Sequence, residues 1–311
     1  MRWVAAIAFA ALLYACAFRP PARPPTTVPA RPPTASTLRV RSGRGVERVA
    51  TEDYVAGCVA AELGSIDADP PSAARARDVQ AILCRSFALA SIGRHRDEGF
   101  DLCATTHCQV YRPLPTTVIG RLAREATTRT TGLVLLVDGW PVLPVYHADC
   151  GGHTSGPEDV WGGTGVSFLV GTRDEACPRR PAWRLEVWLA RLEDILAEDP
   201  HTAVNGPLRG VAIEWHDAAG RAAFVRLDAR PPRVVRGADF RTALLRALGP
   251  TSLRSTLFAV SRRGNALVFE GHGNGHGVGL CQAGAIARAA GGDQPAAILA
   301  HYFPGATVGS R

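Results

Sequence analysis

A proline-rich stretch near the N-terminus sets the first limit on what this chain can fold into. Residues 19–37 read RPPARPPTTVPARPPTAST and show no apolar periodicity. Proline fixes φ and lacks a backbone N–H, so such a segment is typical of an extended, semi-rigid tether and not of a packed core. We therefore interpret residues 17–37 as a linker and confine the fold to residues 38–311.

The segment before the linker is typical of an export signal. A charged start precedes an apolar run from Trp3 to Tyr14, which is shorter than the roughly twenty residues that a spanning helix needs. The run ends in Leu-Tyr-Ala-Cys, which resembles a lipobox with Cys16 as the lipidated residue. Residues 1–16 are thus predicted to be a signal peptide that leads to a lipid-anchored protein of the cell envelope. An ordinary cleaved signal with an incidental cysteine is the alternative.

The charge of the chain gives limited information about its partners. The formal net charge is +7, and all 35 basic residues are arginine because the 311-residue sequence contains no lysine. This bias is typical of GC-rich coding, although the charge also favours anionic partners such as wall polymers or lipid head groups. No helix-turn-helix, zinc-finger spacing or basic helix is evident, so we do not expect nucleic acid as a partner.

Sequence patterns predict both helices and strands. Thr51 begins a helix that runs to about Leu63, and Pro70 begins a longer one that closes near Gly93. A turn at Asp138-Gly139 joins two strand-like runs into a hairpin, the second of them Val142 to Tyr146. Strands and helices continue to the C-terminus without a regular βαβ rhythm. We therefore predict an α+β fold with mixed helices and mainly antiparallel strands.

Potential metal ligands are concentrated in one short segment. Cys103, His107 and Cys108 lie within six residues, and His95 lies eight residues upstream of Cys103. Two thiolates and two imidazoles can hold a tetrahedral zinc ion, which makes these four residues candidate ligands of a structural zinc. The spacing matches no standard zinc finger, and cysteines of exported proteins commonly form disulfides. Both interpretations stay open on the sequence alone.

The remaining cysteines allow disulfides elsewhere. Seven cysteines remain when Cys16 is set aside, so at least one has no partner within the chain. Cys150 with Cys177 is one candidate pair, and Cys58 with Cys84, both on predicted helices, is another. The connectivity does not follow from the sequence.

Two segments combine glycine with histidine, YHADCGGHT at residues 146–154 and GHGNGHGVG at residues 271–279. Glycine lets the backbone approach a ligand closely, and free N–H groups at a helix start bind anionic or hydroxyl-rich ligands. The second segment lacks the lysine of a phosphate-binding loop, and no GxGxxG follows a strand, which argues against nucleotide binding. His272 and His276 could ligate a metal, but hydrogen bonding is the commoner role for histidines in such a loop.

Taken together, the motifs resemble one family. FDLCATTHCQVY, YHADCGGHT and GHGVGLCQAGA, followed by ILAHYFPGA, resemble the SpoIID/LytB family of sporulation and wall-remodelling proteins. EDYVAGCVAAEL and DVQAILCRSFALA are similar to the opening helices of that family, so the resemblance covers roughly residues 38–306. It implies one domain around a glycan cleft and peptidoglycan strands as the partner. It also implies either lytic transglycosylase activity or enhancement of a cell-wall amidase.

The resemblance places the catalytic acid at Glu62, near the end of the first predicted helix. A carboxylate on an otherwise apolar helix acquires a raised pKa if it is buried, as a general acid near neutral pH requires. A solvated glutamate at a helix end is the alternative. Related sequences commonly continue with Met-Pro, whereas Leu63-Gly64 follows here, so the residues beside the acid differ.

Five polar residues embedded in the motifs are our candidates for lining the sugar cleft: Arg85, Gln109, Tyr146, His276 and Gln282. Ordinary glycosidases use two carboxylates. A lytic transglycosylase needs one, because the muramic C6 hydroxyl attacks its own anomeric carbon in place of water. This chemistry requires no cofactor. The resemblance further implies glycan stripped of stem peptides as the substrate.

Three functions therefore compete at this point. The first is a lytic transglycosylase that uses Glu62, and the second is a non-catalytic module that binds the wall and activates a separate amidase. The third, a zinc-dependent hydrolase, has the weakest basis, because the cysteine-rich cluster offers no open water position and no HExxH-type base accompanies it.

Overall fold

The computed structural model describes residues 36–310. The predicted signal peptide, the lipidation site Cys16 and residues 17–35 of the predicted linker lie outside the described residues. Regular structure begins with a strand at Thr37. In the part of the chain that is described, none of the helices combines the length and the apolar character needed to cross a bilayer.

The described residues form eight helices and fourteen strands. The helices are α1 (Thr51–Leu63), α2 (Pro70–Ala90), α3 (Val118–Arg129), α4 (Pro157–Trp161), α5 (Leu189–Ala197), α6 (Gly237–Leu248), α7 (Gln282–Ala290) and α8 (Pro295–Tyr302). The strands are β1 (Thr37–Ser42), β2 (Gly45–Ala50), β3 (Leu102–Cys103), β4 (Leu133–Val137), β5 (Trp140–Pro141), β6 (Tyr146–His147), β7 (Trp183–Trp188), β8 (Gly210–His216), β9 (Ala222–Asp228), β10 (Arg233–Arg236), β11 (Phe258–Arg263), β12 (Ala266–Gly271), β13 (Leu280–Cys281) and β14 (Thr307–Ser310).

The strands form small sheets in which antiparallel pairing prevails. Four sheets have three strands each, in the orders β2–β1–β3, β10–β9–β8, β11–β12–β7 and β14–β4–β5, and β13 pairs with β6 in a fifth sheet of two strands. The pairs β1–β3 and β6–β13 are parallel. This architecture confirms the predicted α+β class with mainly antiparallel strands.

The N-terminal core positions Glu62. Helices α1, α2 and α3 pack against one another and against β1, and α1 buries Tyr54, Val55, Cys58 and Val59 in the shared core. Residues four apart lie on the same face of a helix, so Glu62 follows Cys58 on the buried side. The apolar face of α1 thereby carries the carboxylate to the edge of the core.

Helix α2 connects this core to a second one. Asp69 caps α2 by accepting a hydrogen bond from the Ser72 N–H (3.0 Å), and Pro70 occupies the first turn, where its missing N–H costs nothing. Along its length α2 contacts α1, α3, α7, α8 and β4. The second core contains Val278, Leu280 and Cys281, so the glycine-rich motif and α2 are parts of one packed unit.

A third core lies between the two glycine-rich motifs in the sequence. It comprises β7–β12 with α5 and α6, and the rings of Phe240, Phe258 and Phe269 are in mutual contact at its centre. Its last strand, β12, ends at Gly271, where the loop to β13 starts. This region thus places the second glycine-rich motif next to the first.

The predicted strand from Val142 to Tyr146 is wrong. The turn at Asp138-Gly139 is present, with φ of 49° and 78°, as a tight hairpin requires. Of the residues after the turn, however, Trp140–Pro141 forms the strand that pairs with β4, and the next strand is the two-residue β6. Pro141 and Pro144 lack the N–H groups that a continuous ladder needs, so the chain leaves β4 after the turn.

Candidate functional site

Glu62 lies in the last turn of α1 and is partly buried. Its Oε1 accepts a hydrogen bond from the Val110 N–H (2.9 Å), so the loop after β3 closes over the helix end. Gly64 follows with a φ of 53°, in the left-handed region that glycine adopts most readily, and it turns the chain away from the helix axis. The loop after β3 therefore holds the carboxylate from one side.

A hydrogen-bonded chain of side chains leads to this carboxylate. The Tyr54 hydroxyl donates to Gln109 Oε1 (3.2 Å), and Gln109 Nε2 donates to the Tyr146 hydroxyl (3.3 Å). Tyr146 in turn hydrogen-bonds the Glu62 carboxylate. Gln109 and Tyr146 are thus brought together with the predicted acid, but Gln109 is 2% exposed and supports Tyr146 from within the core, so its predicted place in the lining of the sugar cleft is wrong.

The surroundings of Glu62 favour its protonated form. Burial raises the pKa of Glu62 above its ordinary value, and the hydrogen bonds from the Val110 N–H and the Tyr146 hydroxyl offset part of that rise. The pKa of Tyr146 is raised well above its ordinary value, chiefly by burial and then by the neighbouring thiols Cys58 and Cys84. Tyr146 therefore stays a neutral phenol that can donate to the carboxylate. This is the arrangement that a carboxylic acid donor needs.

Two buried thiols lie behind Tyr146. Cys58 Sγ is 3.8 Å from the Tyr146 hydroxyl, and Cys84 Sγ is 2.7 Å from Cys58 Sγ. All seven cysteines of the described residues are unbridged, so neither candidate disulfide, Cys58–Cys84 or Cys150–Cys177, is formed. The proximity expected for Cys58 and Cys84 is nevertheless present, because both face the shared core from α1 and α2.

His276 lies next to Tyr146 on the glycine-rich loop. Its Nδ1 accepts from the Val278 N–H (3.1 Å), so its Nε2 carries the proton and donates to the Tyr146 carbonyl (3.0 Å). Burial, followed by the charge of Arg241, lowers the pKa of His276 to about 4. His276 is consequently a neutral imidazole with both nitrogens in use, which suits a positioning role better than metal binding.

Sequence reasoning missed two aromatic neighbours of His276. The ring centroid of Trp161 is 5.1 Å from that of His276, and the Trp161 side chain is 47% exposed at the end of α4. The buried His147 ring is 5.4 Å from His276, and its Nδ1 donates to the Val278 carbonyl (3.1 Å). An exposed indole beside fixed polar groups is a typical platform for a sugar ring. The tryptophan in EDVWGG, directly after the first glycine motif, was the available signal.

Gln282 links the glycine-rich loop to α2. Gln282 is the first residue of α7, and its Nε2 donates to Gln80 Oε1 on α2 (3.2 Å), so it ties the glycine-rich loop to the central helix. It remains partly exposed, as a cleft residue must.

The structure contradicts the placement of Arg85 in the cleft. Arg85 is 1% exposed, and its guanidinium forms a two-point ion pair with Glu52 (2.6 and 2.8 Å) and donates to the Leu133 carbonyl (3.0 Å). Glu52 lies ten residues before Glu62 on α1, a separation of about 15 Å along a helix. Arg85 therefore joins α2 to α1 and β4 within the core and is unavailable to a sugar.

The four predicted zinc ligands do come together. Cys108 Sγ is 3.4 Å from His95 Nε2 and 3.6 Å from His107 Nδ1, and Cys103 Sγ is 3.7 Å from His107 Nδ1. All four donor atoms lie within 4.8 Å of one another. We call His95, Cys103, His107 and Cys108 the surface cluster, because its members range from exposed to buried at the molecular surface.

The donor set and its surroundings fit one tetrahedral metal ion. Glu98 Oε1 is 2.7 Å from His95 Nδ1, which leaves Nε2 free to face the thiols, as in carboxylate–histidine–zinc arrangements. Burial raises the pKa of Cys103, but hydrogen bonds from Thr105 and Cys108 outweigh it and lower that pKa to about 7. The cluster also anchors the loop that supplies Gln109 and the Val110 N–H to Glu62.

Comparison with known proteins supports the resemblance inferred from the motifs. The family profile described as Stage II sporulation protein, SpoIID, matches residues 41–136. That span contains Glu62, Gln109 and the whole surface cluster, whereas Tyr146, His276 and Gln282 lie outside it.

Three relatives extend the match along the chain. An uncharacterized protein of Brachyspira hyodysenteriae is 28% identical over 265 residues, which make up 85% of this chain and 67% of that protein. Stage II sporulation protein D of Bacillus amyloliquefaciens is 24% identical over 293 residues, 86% of this chain and 76% of that protein. The amidase enhancer of Bacillus subtilis is 23% identical over 229 residues, 60% of this chain, and the chain spans about a third (32%) of its length. The predicted relationship to the SpoIID/LytB family is confirmed.

Proposed function

We propose that this chain, a relative of the SpoIID/LytB proteins, acts on the cell wall as a lytic transglycosylase that uses Glu62 as its acid. The observation that carries the proposal is the state of Glu62: a partly buried carboxyl with a raised pKa, held by the Val110 N–H and the Tyr146 hydroxyl. A positioned acid with a raised pKa is the device that general acid catalysis of glycosidic cleavage needs.

The reaction needs one carboxyl group used twice. Protonated Glu62 gives its proton to the oxygen between N-acetylmuramic acid and N-acetylglucosamine as the bond from that oxygen to the muramic C1 breaks. The resulting carboxylate takes the proton of the muramic C6 hydroxyl, and the C6 oxygen bonds to C1. Glu62 ends protonated, and the product carries a 1,6-anhydro ring. The contacts described for Glu62 include no second carboxylate, in keeping with an intramolecular nucleophile.

The neighbouring residues have positioning roles in this scheme. Tyr146 and Val110 fix the carboxyl, while Gln109 fixes Tyr146. Trp161, Gln282 and the loop of His276 offer an exposed aromatic face and partly exposed polar groups for successive sugars. The glycan strand would thus run from Glu62 past Tyr146 toward Trp161.

We also assign a structural zinc ion to the surface cluster. The ion would neutralise the two thiolates and cross-link the loop from His95 to Cys108. With four protein ligands no coordination position is left for water, so the ion takes no part in the chemistry. Its contribution is to hold Gln109 and Val110 where Glu62 needs them.

A non-catalytic role is the second candidate, and the relationship to a protein named amidase enhancer favours it. In that case the same cleft would bind glycan and the chain would stimulate a separate wall amidase. The apolar N-terminal run followed by the proline-rich segment supports export for either function, with the domain held at a distance from the membrane if Cys16 is lipidated.

Digestion of purified glycan strands, with and without stem peptides, tests the proposal. We expect the chain to release 1,6-anhydromuramic ends, identified by mass spectrometry, preferentially from stripped strands. Glu62→Gln should lower the rate by about 10²–10⁴-fold, the usual contribution of a general acid. Glu125→Gln, at an exposed carboxylate of α3 paired with Arg121, serves as the matched control and should retain full activity.

The same assay separates the two candidates. If neither substrate is cut while a wall amidase is accelerated equally by the native chain and by Glu62→Gln, the transglycosylase proposal fails and the enhancer function stands. Melting temperatures of both variants within a few degrees of the native value would show that the loss of cleavage is chemical.

A further inference from the structure

A second group of potential metal ligands lies away from Glu62 and from the surface cluster. Cys150, Asp174, Cys177 and Cys281 are all buried, and their donor atoms lie within 4.8 Å of one another. We call these four residues the buried cluster. They come from three separate segments: the middle of the first glycine motif, the loop before β7, and the N-cap of α7.

The spacing of the sulfur atoms fits a shared ion better than a covalent bridge. Cys177 Sγ and Cys281 Sγ are 3.7 Å apart. A disulfide needs about 2.05 Å between its sulfurs. Two thiolates at about 2.3 Å from a tetrahedral zinc ion are separated by about 3.8 Å. The observed distance matches an edge of that tetrahedron, and the overall spacing leaves room for a single ion.

Two of the sulfur atoms accept hydrogen bonds from backbone N–H groups, as thiolates commonly do in proteins. The N–H groups of Cys150 and Gly284 donate to Cys281 Sγ (3.2 and 3.3 Å), and the Gly152 N–H donates to Cys150 Sγ (3.2 Å). Cys281 is also the N-cap residue of α7, where the helix dipole stabilises a negative sulfur. These contacts favour the deprotonated form that a metal requires.

The burial and hydrogen bonding of Asp174 suit it to be the fourth ligand. It is 1% exposed, its Oδ2 accepts from the Tyr302 hydroxyl (2.7 Å), and its Oδ1 accepts no hydrogen bond among the described residues. The nearest cationic groups, Arg288 Nη2 at 3.5 Å and His301 Nε2 at 4.0 Å, do not hydrogen-bond this oxygen, which leaves it able to ligate an ion. Gly284 makes the site possible, because a Cβ there would collide with Asp174 Oδ2 and the Tyr302 hydroxyl.

Buried positive charge balances the cluster. Arg221 is 1% exposed, donates to the Cys150 carbonyl, and has two guanidinium nitrogens, Nε and Nη1, without an acceptor. Arg288 Nη2 is 3.5 Å from Asp174 Oδ1. Three thiolates and a carboxylate around a divalent ion carry a net charge of −2, which these two guanidinium groups would compensate.

We propose that the buried cluster binds one structural zinc ion through the thiolates of Cys150, Cys177 and Cys281 and a carboxylate oxygen of Asp174. Without metal, the Cys177 thiol donates to Asp149 Oδ1 (3.4 Å), so binding releases that proton and those of the other protonated thiols to solvent. A pocket of about 580 Å³ lined by Asp174, Cys177 and Arg180 gives the ion a route from solvent. The inference does not depend on the proposed glycan chemistry.

The ion would join the segments that build one side of the cleft. Cys150 lies four residues after Tyr146, and Cys281 lies directly before Gln282 and five residues after His276. Both segments already meet through the parallel pair β6–β13. A zinc ion would fix that contact and attach the 171–180 loop to it.

The test uses the full-length chain carrying Cys103→Ser and Cys108→Ser, so that the surface cluster cannot contribute metal. Purified without added metal, this protein should contain one zinc ion per chain by elemental analysis. X-ray absorption should show three sulfur ligands at about 2.3 Å and one lighter ligand. Adding Cys177→Ser should remove the zinc or one of the sulfur ligands. Cys84→Ser, at an equally buried thiol outside the cluster, is the matched control and should leave the zinc in place.

Alkylation of the native chain provides a measurement that no variant can confound. Cys150, Cys177 and Cys281 should resist alkylation until a chelator is added and then react together. A disulfide between any two of them, alkylation that is independent of the chelator, or another metal in place of zinc would each overturn the proposal. Because metal content is read directly, loss of glycan cleavage has no bearing on the result.

Discussion

The surface cluster and the buried cluster use similar ligands in opposite ways. The surface cluster draws its four residues from one short stretch, and its most distant members, His95 and Cys108, are 13 positions apart in the sequence. The buried cluster joins Cys150 to Cys281 across 131 residues. Closing the longer loop removes about 2 kcal/mol more conformational entropy from the unfolded chain than closing the shorter one. A metal ion in the surface cluster would therefore shape a loop, whereas one in the buried cluster would stabilise the fold as a whole.

The difference also concerns the site. The last residue of the surface cluster, Cys108, directly precedes Gln109 and Val110. A metal ion there would therefore position the Val110 N–H that donates to Glu62. The buried cluster supports Tyr146, His276 and Gln282 from behind. A metal ion in each cluster would thus hold one side of the site around Glu62, and the two sides meet at the hydrogen bond between Gln109 and Tyr146.

The largest expected effect is on stability. Cys281→Ala should lower the free energy of unfolding by at least about 3 kcal/mol, because it removes one partner of a buried charged group and leaves the others uncompensated. Cys103→Ala should cost roughly half of that or less, since its cluster can open locally. Urea denaturation of both variants measures the difference. Equal losses would contradict the division between a global and a local cross-link.

The second prediction concerns the groups that orient the ligands. Glu98→Gln, which weakens the carboxylate partner of His95, should reduce zinc affinity at the surface cluster by about 10–100-fold. Tyr302→Phe, which removes the donor to Asp174, should do the same at the buried cluster. Competition with a chromophoric chelator measures both. Asp97→Asn, at an exposed neighbour of Glu98, is the control and should change neither affinity.

The third prediction concerns how the stability of the folded chain depends on pH through His276, on the side of the site next to the buried cluster. The pKa of His276 is lowered to about 4, below the ordinary value of 6.5. In that window the unfolded chain binds a proton that the folded chain does not. Stability should therefore fall as the pH is lowered from 6.5 toward 4, by up to about 1.4 kcal/mol per pH unit. His276→Asn keeps an acceptor for the Val278 N–H and should flatten this decline in melting temperature. An unchanged slope would show that other groups cause it.

Local patterns explain how much of this fold could be predicted. The two ends of α1 and the start of α2 follow from Thr51, Leu63 and Pro70, which are local signals of capping and periodicity. The surface cluster was predictable because its ligands are close in sequence. The second strand of the hairpin was predicted at Val142 to Tyr146, whereas Trp140–Pro141 pairs with β4, since the effect of Pro144 depends on where the next segment pairs.

The grouping of the buried cluster and the burial of Arg85 in the core could not be predicted from local patterns. Cys150, Cys177 and Cys281 look like unrelated cysteines until the fold places α7 beside β6. Arg85 is a polar residue inside a recognisable motif, and only the packing of α2 on α1 shows that Glu52 neutralises it. Glu62 needed the family resemblance, because a glutamate at a helix end is ordinary until Val110 and Tyr146 are seen to hold it.

The smallest expected effect is on the pKa of Glu62, and it tests whether Tyr146, which lies on the side of the buried cluster, lowers that pKa. The Tyr146 hydroxyl lowers the pKa of Glu62, partly offsetting the rise that burial causes. Tyr146→Phe should therefore raise that pKa further. Because the acid must be protonated to act, the alkaline limb of the cleavage rate should move to higher pH, by up to about one unit. Tyr111→Phe is the matched control, since Tyr111 stacks on Tyr54 at 5.0 Å and takes no part in the chain of hydrogen bonds to Glu62. A shift to lower pH would mean that Tyr146 favours the protonated acid, and that the two sides of the site are coupled in the opposite sense.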